Sequence, residues 1–455
     1  MSGSTAIQSN FSSHSDNGVG QKSTHSVWIK RADPSGDTRS TIISGNNGSA
    51  GYMKVRFADN DRLMAYGTNN SGTNCDVQTK REFRDVFGWL HVVLQIDTSA
   101  GTASDRVKWY VNGELQELYG TPTYPSQGER NHLTTADDLE IGRNAQSDNE
   151  HFDGYMSHFH CTDGYLTAPS VFGSTDNVTG EWQINASPTV ANYGTYGYWI
   201  FKDGTNLSGS TIQDQSGQGN NFTLTQGTLT PTQDNPSNVF ATCNSLYKDG
   251  GSTITYTNGN TTVDVGSGNS WCTSPSTLGM PSGKFYFEAK LTLNSNNEAY
   301  IGVANQNNLE IKTNEPNYIG EDADTLGWYS GDGSFYWNAS SSSYGSSWTT
   351  GDIVGCAIDI DNSKIYFHKN GTWQNSGDPT SGATGTGAKP LYHTAGDIWH
   401  FCVSPNQSKL ECNFGNGYFG TTAVSSAGTN ASGIGIFEYD VPTGYTALST
   451  KGLNE

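Results

Sequence analysis

Long hydrophobic runs are missing from this chain of 455 residues. No stretch approaches the roughly 18 consecutive apolar residues that a membrane-spanning helix needs. The N-terminus, MSGSTAIQSN, has neither the basic start nor the apolar run of a secretory signal. We therefore expect a protein that is made in a cytosol, is not exported by the usual signal and does not insert into a membrane.

Positive charge is also scarce. The chain has 24 Lys and Arg residues and 44 Asp and Glu residues, which gives a formal net charge of −20 at pH 7. Residues 1–160 hold 14 of the basic and 19 of the acidic side chains, and no arginine follows Arg143. Such a surface is repelled by nucleic acid phosphates and by anionic membranes, so neither is an expected partner. The change in composition near residue 160 also indicates a domain boundary.

No cysteine motif is present. The chain has seven cysteines, an odd number, and none has CxxC spacing: Cys75, Cys161, Cys243, Cys272, Cys356, Cys402 and Cys412. This pattern predicts free, mostly buried thiols. The alternative is a disulfide between Cys402 and Cys412, which flank a possible hairpin.

Glycine and aromatic residues are abundant, with 55 glycines and 11% aromatics, and this balance favours short strands joined by tight turns. In WLHVVLQID, residues 89–97, every second residue from Leu90 to Ile96 is apolar. KFYFEAKLTL, residues 284–293, alternates in the same way from Phe285 to Leu293. Both patterns predict half-buried strands of antiparallel sheets, and only REFRDVF, residues 81–87, is a candidate helix.

Two tight hairpins are predicted, one in RVKWYVNGEL (106–115) and one in SKIYFHKNGTWQ (363–374). Asn112-Gly113 and Asn370-Gly371 supply the positive φ angles of a two-residue turn. Little else aligns between the two halves of the chain. We interpret them as two domains that need the same turn, not as the product of a recent duplication.

The order of these patterns predicts an all-β chain with two antiparallel β-sandwich domains, residues 1–173 and 251–455. Residues 174–250 are rich in Gly, Asn, Thr and Ser but contain the strand candidates YGYWIFKDG and NNFTLT. We predict that this region is an ordered connector that packs on a neighbour.

Metal ligands are weakly indicated. His158 and His160 are two apart in a predicted strand and would point the same way, but no further ligands can be named, so no metal site is assigned. Two acidic groups could offer oxygen atoms to a structural calcium ion: Asp214 with Asn220 and Asn221, and the pair Asp359 and Asp361. Asx and glycine turns produce the same letters without a metal, and we therefore expect no cofactor.

The best candidate for ligand binding is the aromatic run GWYSGDGSFYWNASSSSYGSSWTTGD, residues 327–352. Trp328 and Tyr336 are predicted strand residues that serve the core, and Trp337 is assigned either to the core or to the site. Tyr344 and Trp348 follow the NASSSS loop, where a large ring is harder to bury. Rings on polar loops are a common means of holding sugars or peptides, so the candidate binding residues are Tyr344, Trp348 and Trp337.

Several segments carry a family resemblance. HSVWIKR, GWLHVVLQIDT, WYVNGELQE, LEIGR and FDGYMSHFHCTDGYLTAPSVFG together resemble the laminin-G-like, concanavalin A-type jelly-roll domain of marine bacteriophage structural proteins. GKFYFEAKL, IGVA, GWYSGDGSFYWN, GDIVGCAIDIDNSKIYFHKNGTW and FGNGYF resemble a SPRY domain. The resemblance implies two concanavalin-like β-sandwiches in a virion protein assembled in the host cytoplasm.

The resemblance further implies a tail fibre or spike component that binds other virion proteins and a host-surface glycan or protein receptor, and that forms a homo-oligomer, with a trimer expected of a fibre. A capsid decoration protein without a ligand is the first alternative, and a polysaccharide hydrolase is the second. Concanavalin-like hydrolases carry their carboxylates on an E-x-D-x-x-E strand, and this spacing does not occur here. EDAD, residues 321–324, is predicted to be a solvated loop, and no HExxH or serine-triad motif is found, so we do not expect an enzyme.

Overall fold

The computed structural model describes residues 5–9, 20–32, 39–135, 138–204, 207–247, 254–266, 271–306, 309, 318–392, 394 and 396–454, except the side chains of residues 294–297. The chain divides into two compact units, residues 1–231 and 232–455. Their strands are almost all antiparallel, and the predicted all-β class with β-sandwich domains is confirmed. In the described part of the chain, no helix is long and apolar enough to cross a membrane.

The strands of the first unit are β1 Ala6–Ser9, β2 Lys22–Arg31, β3 Ser40–Asn46, β4 Gly51–Phe57, β5 Arg62–Asn69, β6 Gly72–Glu82, β7 Leu90–Asp97, β8 Val107–Val111, β9 Glu114–Leu115, β10 Asp138–Ile141, β11 Gly154–Asp163, β12 Gly173–Thr175, β13 Trp182–Ile184, β14 Tyr198–Ile200, β15 Leu207–Ser208, β16 Thr211–Ile212 and β17 Phe222–Gln226. One large sheet has the order β15-β16-β17-β1-β10-β3-β4-β5-β6 and the other β14-β11-β2-β7-β8-β9, and β12 pairs with β13 in a small separate sheet. A short α-helix, α1, spans His132–Thr135. The predicted helix at 81–87 is wrong, because β6 continues to Glu82 and no helix follows.

The core of the first unit lies between these two sheets. As predicted, Val92, Leu94 and Ile96 of β7 point into it. The opposite face of β7 is not solvated, however, because His91 is fully buried. The indole of Trp182 stacks on the His91 ring and donates its Nε1–H to His91 Nδ1 at 3.0 Å. Residues after β11 therefore cover the outer face of the six-stranded sheet.

The strands of the second unit are β18 Thr255–Thr257, β19 Thr262–Asp264, β20 Ser274–Pro275, β21 Lys284–Asn305, β22 Thr325–Tyr329, β23 Ser334–Trp337, β24 Ser340–Ser343, β25 Ile353–Asp359, β26 Lys364–Lys369, β27 Thr372–Trp373, β28 Lys389–Pro390, β29 Trp399–Asn413, β30 Tyr418–Phe419, β31 Thr422–Ala423 and β32 Thr446–Ala447. The 3₁₀ helices of the described chain are Gly48–Ala50, Ala103–Asp105, Pro169–Val171, Gln374–Ser376, Pro379–Thr384 and Gly452–Asn454.

Two long strands, β21 and β29, form the centre of the second unit. They pair along most of their length; the first half of β21 also pairs with β25, and its second half with β22. Phe285, Phe287 and Leu291 lie in the core as predicted. Leu293 does not, being 49% exposed, because the β21–β29 register shifts after Leu291.

All seven cysteines are free and buried, which confirms the predicted thiols. The hairpin proposed between Cys402 and Cys412 does not exist, because both residues lie on the single strand β29. Cys412 Sγ instead lies 3.8 Å from Cys243 Sγ. The apolar pattern alone could not show that the segments containing Cys402 and Cys412 form one long strand and not the two strands of a hairpin.

The predicted connector, residues 174–250, is shared between the two units. Within the first unit β14 pairs with β11, and β17 pairs with β1. In the second unit Phe240 and Ala241 are buried, and the Ala241 N–H donates to Leu448 O at 2.9 Å. The domain boundary predicted at residue 250 therefore lies between residues 231 and 232.

The two predicted hairpins are present, and both have an Asn-Gly turn with the same backbone conformation. Asn112 and Gly113 have φ angles of 48° and 80°, and so do Asn370 and Gly371. Asn112 Oδ1 accepts the His91 N–H at 2.9 Å, and Asn370 Oδ1 accepts the Ile353 N–H at 2.8 Å. Each turn is thereby tied to the strand beside its hairpin.

Valine at Gly113 or at Gly371 is expected to destabilise its own unit by about 1–3 kcal/mol, because β-branched residues tolerate positive φ poorly. A Cβ at Gly113 would also lie 2.4 Å from the Trp182 ring, and one at Gly371 would lie 2.6 Å from Tyr439. Urea denaturation followed by circular dichroism measures the loss. Gly101→Val is the matched control, since a Cβ there meets nothing within 4 Å. Equal stability of all three variants would refute the turn assignment.

Candidate ligand-binding surface

Two of the three predicted binding residues lie in the core. Tyr344 and Trp348 are only 5% and 1% exposed, so the expectation of exposed rings is wrong. The reason is local: residues 340–343 form the edge strand β24 instead of a loop, and the chain then turns inward. The Trp348 N–H donates to Ser330 O at 3.0 Å, and Tyr344 Oη accepts the Phe367 N–H at 3.0 Å.

The third residue, Trp337, is half-buried at the surface. Its ring stacks on that of Tyr392, with centroids 3.7 Å apart and planes at 17°, and Tyr392 is 45% exposed. The Trp337 Nε1–H donates to Ala323 O at 2.9 Å, which fixes the indole. This pair remains a candidate for ligand contact.

A larger aromatic surface lies on the other face of the same strands. We call it the aromatic patch, and its members are Trp271, Tyr300, Tyr318, Tyr329 and Tyr336. Alternation along the strands explains it, because Trp328 and Phe335 point into the core, which places their neighbours Tyr329 and Tyr336 on the outer face. Trp328 therefore lies in the main core, as predicted. Tyr336 was also predicted to lie there, but it lies on the outer face instead.

The patch is centred on Tyr300, which is 3% exposed. Its ring stacks on Tyr329 at 4.8 Å and on Tyr318 at 5.2 Å, and it meets Tyr336 edge-on at 5.4 Å. The four outer rings are half-buried. Because the rings contact one another directly, they form a platform and leave no slot between them.

The β21–β22 register and a tight loop hold the patch in place. Tyr300 and Tyr329 are direct cross-strand partners, and Gly327 is the partner of Tyr336. Gly320 has a φ of 100°, and a Cβ there would lie 2.5 Å from Tyr336 Cβ. Only glycine permits this approach, which brings residues 318–320 close to Tyr336 of β23.

Among the described residues, three carboxylates lie near the rings of the platform. Glu298 Oε1 accepts a hydrogen bond from Tyr329 Oη at 3.4 Å. Asp332 is exposed in the turn between β22 and β23, and Glu321 follows the loop of Tyr318. Burial, and then the negative charges of Glu298 and Asp332, raise the pKa of Tyr329 to about 12. Burial and the charge of Glu321 also raise the pKa of Tyr318, so the rings remain neutral at physiological pH.

Sequence reasoning missed most of this surface. Trp271 and Tyr300 lie 27 or more residues before the run at 327–352, Tyr318 lies nine residues before it, and Tyr392 follows it by 40 residues. One sequence signal could have indicated part of this surface. The strand alternation in GWYSGDGSFYWN places Trp328 and Phe335 on one face of the sheet and Tyr329 and Tyr336 on the other.

The residues considered for metals have protein partners. His158 Nδ1 lies 2.7 Å from Ser157 Oγ, and His160 Nδ1 lies 2.9 Å from Tyr193 Oη. The two histidines are not simple alternate strand residues, because His158 has a φ of 47° at a bulge. The described residues contain no group of three or more His, Cys, Asp or Glu side chains that could hold a metal ion.

The proposed calcium ligands are likewise engaged. The Asp214 carboxylate accepts the N–H groups of Trp199, Ser216 and Asn220 at 2.8–2.9 Å. Asp359 pairs with Lys284 at 2.9 Å, and Asp361 accepts the Gly283 N–H at 2.8 Å. These carboxylates organise turns. In EDAD, Asp322 Oδ1 accepts from the Asp324 N–H at 3.2 Å, as expected of a turn.

Each unit also buries titratable groups outside the aromatic patch. In the first unit, burial lowers the pKa of His25 and His91 to about 3 and that of His158 to about 4, and the pKa of His160 is also well below its usual value. In the second unit, burial lowers the pKa of His368 to about 3 and also lowers that of His400, whereas it raises the pKa of Glu288 to about 7. Its carboxylate accepts the N–H groups of Glu438 and Tyr439, both at 2.9 Å.

The first unit is expected to lose more stability than the second unit when the pH falls from 7.5 to 5. The pKa values of the buried histidines are lower in the folded state of the first unit than in its unfolded state. The stability that each neutral histidine contributes is therefore fully present above pH 6.5. It is lost as pH falls towards 3–4, by about 1.4 kcal/mol per pH unit for each histidine. His132 of the first unit also has a lowered pKa, and the raised pKa values of Asp138 and Asp163 oppose the five histidines. In the second unit, the Glu288 contribution is present below pH 4.5 and is lost as pH rises through 7, which opposes the effect of His368 and His400.

Hydrogen exchange with peptide mass spectrometry on the whole chain at pH 5 and pH 7.5, corrected for intrinsic exchange, checks this expectation. Peptides of the first unit should open more readily at pH 5 than at pH 7.5, and peptides of the second unit should change less. An equal response of both units would contradict it.

Comparison with known proteins identifies both domains. Residues 2–172 match the concanavalin A-like lectin/glucanases superfamily in its laminin G form, and residues 284–416 match the SPRY domain. The chain thus contains a concanavalin A-like domain followed by a SPRY domain, as the sequence resemblance indicated. Both families consist generally of interaction domains.

The curated relatives are similar over short regions only. The E3 ubiquitin-protein ligase RKP of Arabidopsis thaliana is 36% identical over 80 residues, which are 17% of this chain and 6% of that protein. Ran-binding protein 9 of Danio rerio is 31% identical over 91 residues, which are 20% of this chain and 14% of that protein. The chain therefore spans a small part of the length of these relatives.

Among solved structures, the SPRY domain of human HERC1 is 18% identical with a TM-score of 0.25, and the comparison covers 38% of this chain and 92% of that one. The PSpry domain of TRIM65 is 12% identical with a TM-score of 0.27, covering 37% of this chain and 87% of that one.

Proposed function

We propose that this chain is a non-enzymatic virion protein of a bacteriophage, of the tail fibre or spike type, that recognises a host-surface glycan through the aromatic patch. It assembles with other virion proteins and forms a homo-oligomer, which is a trimer in a fibre. The observation that carries the binding role is the platform of half-buried rings around Tyr300, since flat apolar faces with hydroxyl groups suit the faces of sugar rings.

Two further observations support this proposal. Laminin G and SPRY domains are generally interaction modules. The large negative charge of the chain gives no long-range attraction to an anionic cell surface, so binding must rely on short-range contacts such as stacking.

Tyr336→Ala and Tyr318→Ala are each expected to weaken attachment of the purified protein to host cells by about tenfold or more, because they remove part of the platform. Tyr165→Ala is the matched control, since Tyr165 is 46% exposed on the first unit and lies outside the patch. Circular dichroism establishes that each variant is folded. Unchanged attachment by a folded Tyr336→Ala variant would exclude the patch as the binding site.

The copy number of the protein in purified particles tests its place on the virion. A fibre component should be present in a few trimers at the tail. Tens to hundreds of copies on the head would instead identify a capsid decoration protein and contradict the fibre assignment.

A further inference from the structure

We infer that Cys243 and Cys412 form a redox pair, which a hydroperoxide converts from two thiols into a disulfide bond. The bond would join the residues that precede the SPRY match to the long strand β29. This inference goes beyond the proposed function and does not depend on it, because it rests on the contacts of the two side chains.

The two thiols touch each other in the buried interior of the second unit. The Cys243 S–H donates a hydrogen bond to Cys412 Sγ, and the sulfur atoms are 3.8 Å apart. Cys243 is 1% exposed and Cys412 is fully buried. The sulfur atoms of a disulfide are about 2.05 Å apart, so each sulfur has to move by about 1 Å for the bond to form. Displacements of about 0.5–1 Å are ordinary for side chains in folded proteins.

Hydrogen bonds of the main chain hold the two cysteines side by side. The Cys243 N–H donates to Asn260 O at 2.8 Å, and the Cys412 N–H donates to Thr261 O at 2.7 Å. Both cysteines are therefore anchored to the same dipeptide, in the turn that leads into β19. The sulfur–sulfur contact is a consequence of this anchoring and not of a chance approach between two mobile side chains.

The two cysteines differ in how deeply the fold holds them. Cys412 lies on β29, and β19 and β21 both pair with this strand. Cys243 lies in the segment before these strands, and Leu246, three residues later, is 41% exposed. Local opening therefore exposes Cys243 before Cys412, because a peripheral segment opens at a lower free energy than the centre of a sheet. Cys243 is the thiol that meets the oxidant first.

Two steps close the bond, and their atoms and electrons balance. Cys243, as the thiolate, attacks one oxygen of hydrogen peroxide, so that an S–O bond forms, the O–O bond breaks, and a sulfenic acid and water are produced. Cys412 Sγ then attacks Cys243 Sγ. The S–S bond forms, the S–O bond breaks, and the Cys412 proton leaves with the hydroxyl group as water. The two sulfur atoms lose two electrons in total, and the peroxide accepts them.

Cys402 is a competing thiol near this pair. Burial, and then the neighbouring Cys243, raise the pKa of Cys402 well above its usual value. The Cys402 thiol also interacts with the backbone of Ala304, whereas the hydrogen bond of Cys243 is to Cys412. The contact geometry therefore favours Cys412 as the partner that captures the sulfenic acid, and the identity of the bonded pair tests this directly.

Peptide mapping by mass spectrometry tests the inference on the purified full chain. The reduced protein is incubated with hydrogen peroxide at pH 7.5, the remaining thiols are alkylated with iodoacetamide in denaturant, and the digest is analysed. We expect a peptide that links Cys243 to Cys412, with a loss of about 2 Da from the intact mass and alkylation of the other five cysteines. Dithiothreitol should restore seven alkylated cysteines.

Cys243→Ala and Cys412→Ala are each expected to abolish the linked peptide. Cys75→Ala is the matched control, since Cys75 is a buried free thiol of the first unit. Closing the bond should also raise the melting temperature of the wild-type second unit by about 5–10 °C, because it restricts the unfolded chain between residues 243 and 412. Circular dichroism establishes that each variant is folded.

The wild-type digest decides the inference even where a variant does not fold. A bond between Cys243 and Cys402, or a sulfinic acid at Cys243 without a linked peptide, would overturn it. So would seven unmodified thiols after incubation with peroxide, since the pair would then be inert. A link that appears only in the presence of urea belongs to the unfolded chain and also contradicts the inference.

Discussion

Trp348→Ala is expected to lower the free energy of unfolding of the second unit by about 3–5 kcal/mol, the cost of removing a buried tryptophan from a packed core. The side chain is 1% exposed, and its ring lies 5.8 Å from that of Trp328. Both rings belong to the main hydrophobic cluster of the unit. Neighbouring rings on rigid strands cannot close a cavity of this size, so the lost contacts are not replaced.

The measurement is urea denaturation followed by far-ultraviolet circular dichroism, because tryptophan fluorescence changes with the substitution itself. Tyr344→Phe is a graded companion: it removes only the hydroxyl that accepts the Phe367 N–H, and should cost about 1–3 kcal/mol. Tyr392→Ala is the surface control, since its ring is 45% exposed. If Trp348→Ala were as stable as Tyr392→Ala, the ring would be exposed in solution and would return to the list of candidate binding residues.

The sequence predicted the inner faces of the sheets well, because strand alternation is a direct consequence of backbone geometry. Every second residue of β7 from Val92 to Ile96 is in the core, and so are Phe285 and Phe287 of β21. The two Asn-Gly turns were also predictable, since few other residue pairs adopt two successive positive φ angles.

The outer faces could not be predicted from alternation, because their residues read as polar or mixed. Tyr286 and Glu288 alternate with the core residues of β21, yet both are fully buried. Phe437, Val441 and Tyr445 form a second cluster with Tyr286. These covering residues come from irregular chain without a period of 2 or 3.6, so the sequence carries no signal of what they cover.

The candidate site could not be predicted from the sequence for a related reason. Its central contact joins Tyr300 and Tyr329, which are 29 residues apart, and depends on the register of β21 with β22. A shift by one residue would exchange the faces and put Tyr329 in the core in place of Trp328. The burial of Tyr344 likewise depends on the pairing of β24 with β23. This pairing could not be predicted, because β24 consists of four serines without an apolar pattern.

The domain boundary leads to the second large effect. A fragment of residues 232–455 is expected to fold on its own, whereas a fragment of residues 251–455 is expected to be unfolded or severely destabilised. The shorter fragment loses Phe240, Ala241 and Cys243, each no more than 2% exposed. Removal of the Phe240 ring alone is worth about 3–5 kcal/mol, which is a large part of the total stability of a domain of this size.

Backbone hydrogen bonds add to this loss. In the intact unit the Ala241 N–H donates to Leu448 O at 2.9 Å, the Cys243 N–H to Asn260 O at 2.8 Å and the Thr450 N–H to Val239 O at 2.9 Å. Deleting residues 232–250 leaves the groups at 260, 448 and 450 without these partners, and buried groups without partners are costly. The same deletion also uncovers Cys412, whose sulfur lies 3.8 Å from that of Cys243.

Circular dichroism and thermal melting of the two fragments make the comparison, and Phe240→Ala in the full chain tests the same contact without a deletion. We expect the 232–455 fragment to melt cooperatively, and the Phe240→Ala chain to lose about 3–5 kcal/mol in the second unit only. Equal melting temperatures for the two fragments would mean that residues 232–250 are a linker after all. A stable 251–455 fragment together with an unaffected Phe240→Ala chain would return the boundary to residue 250, and the SPRY sandwich would then close without the segment that precedes it.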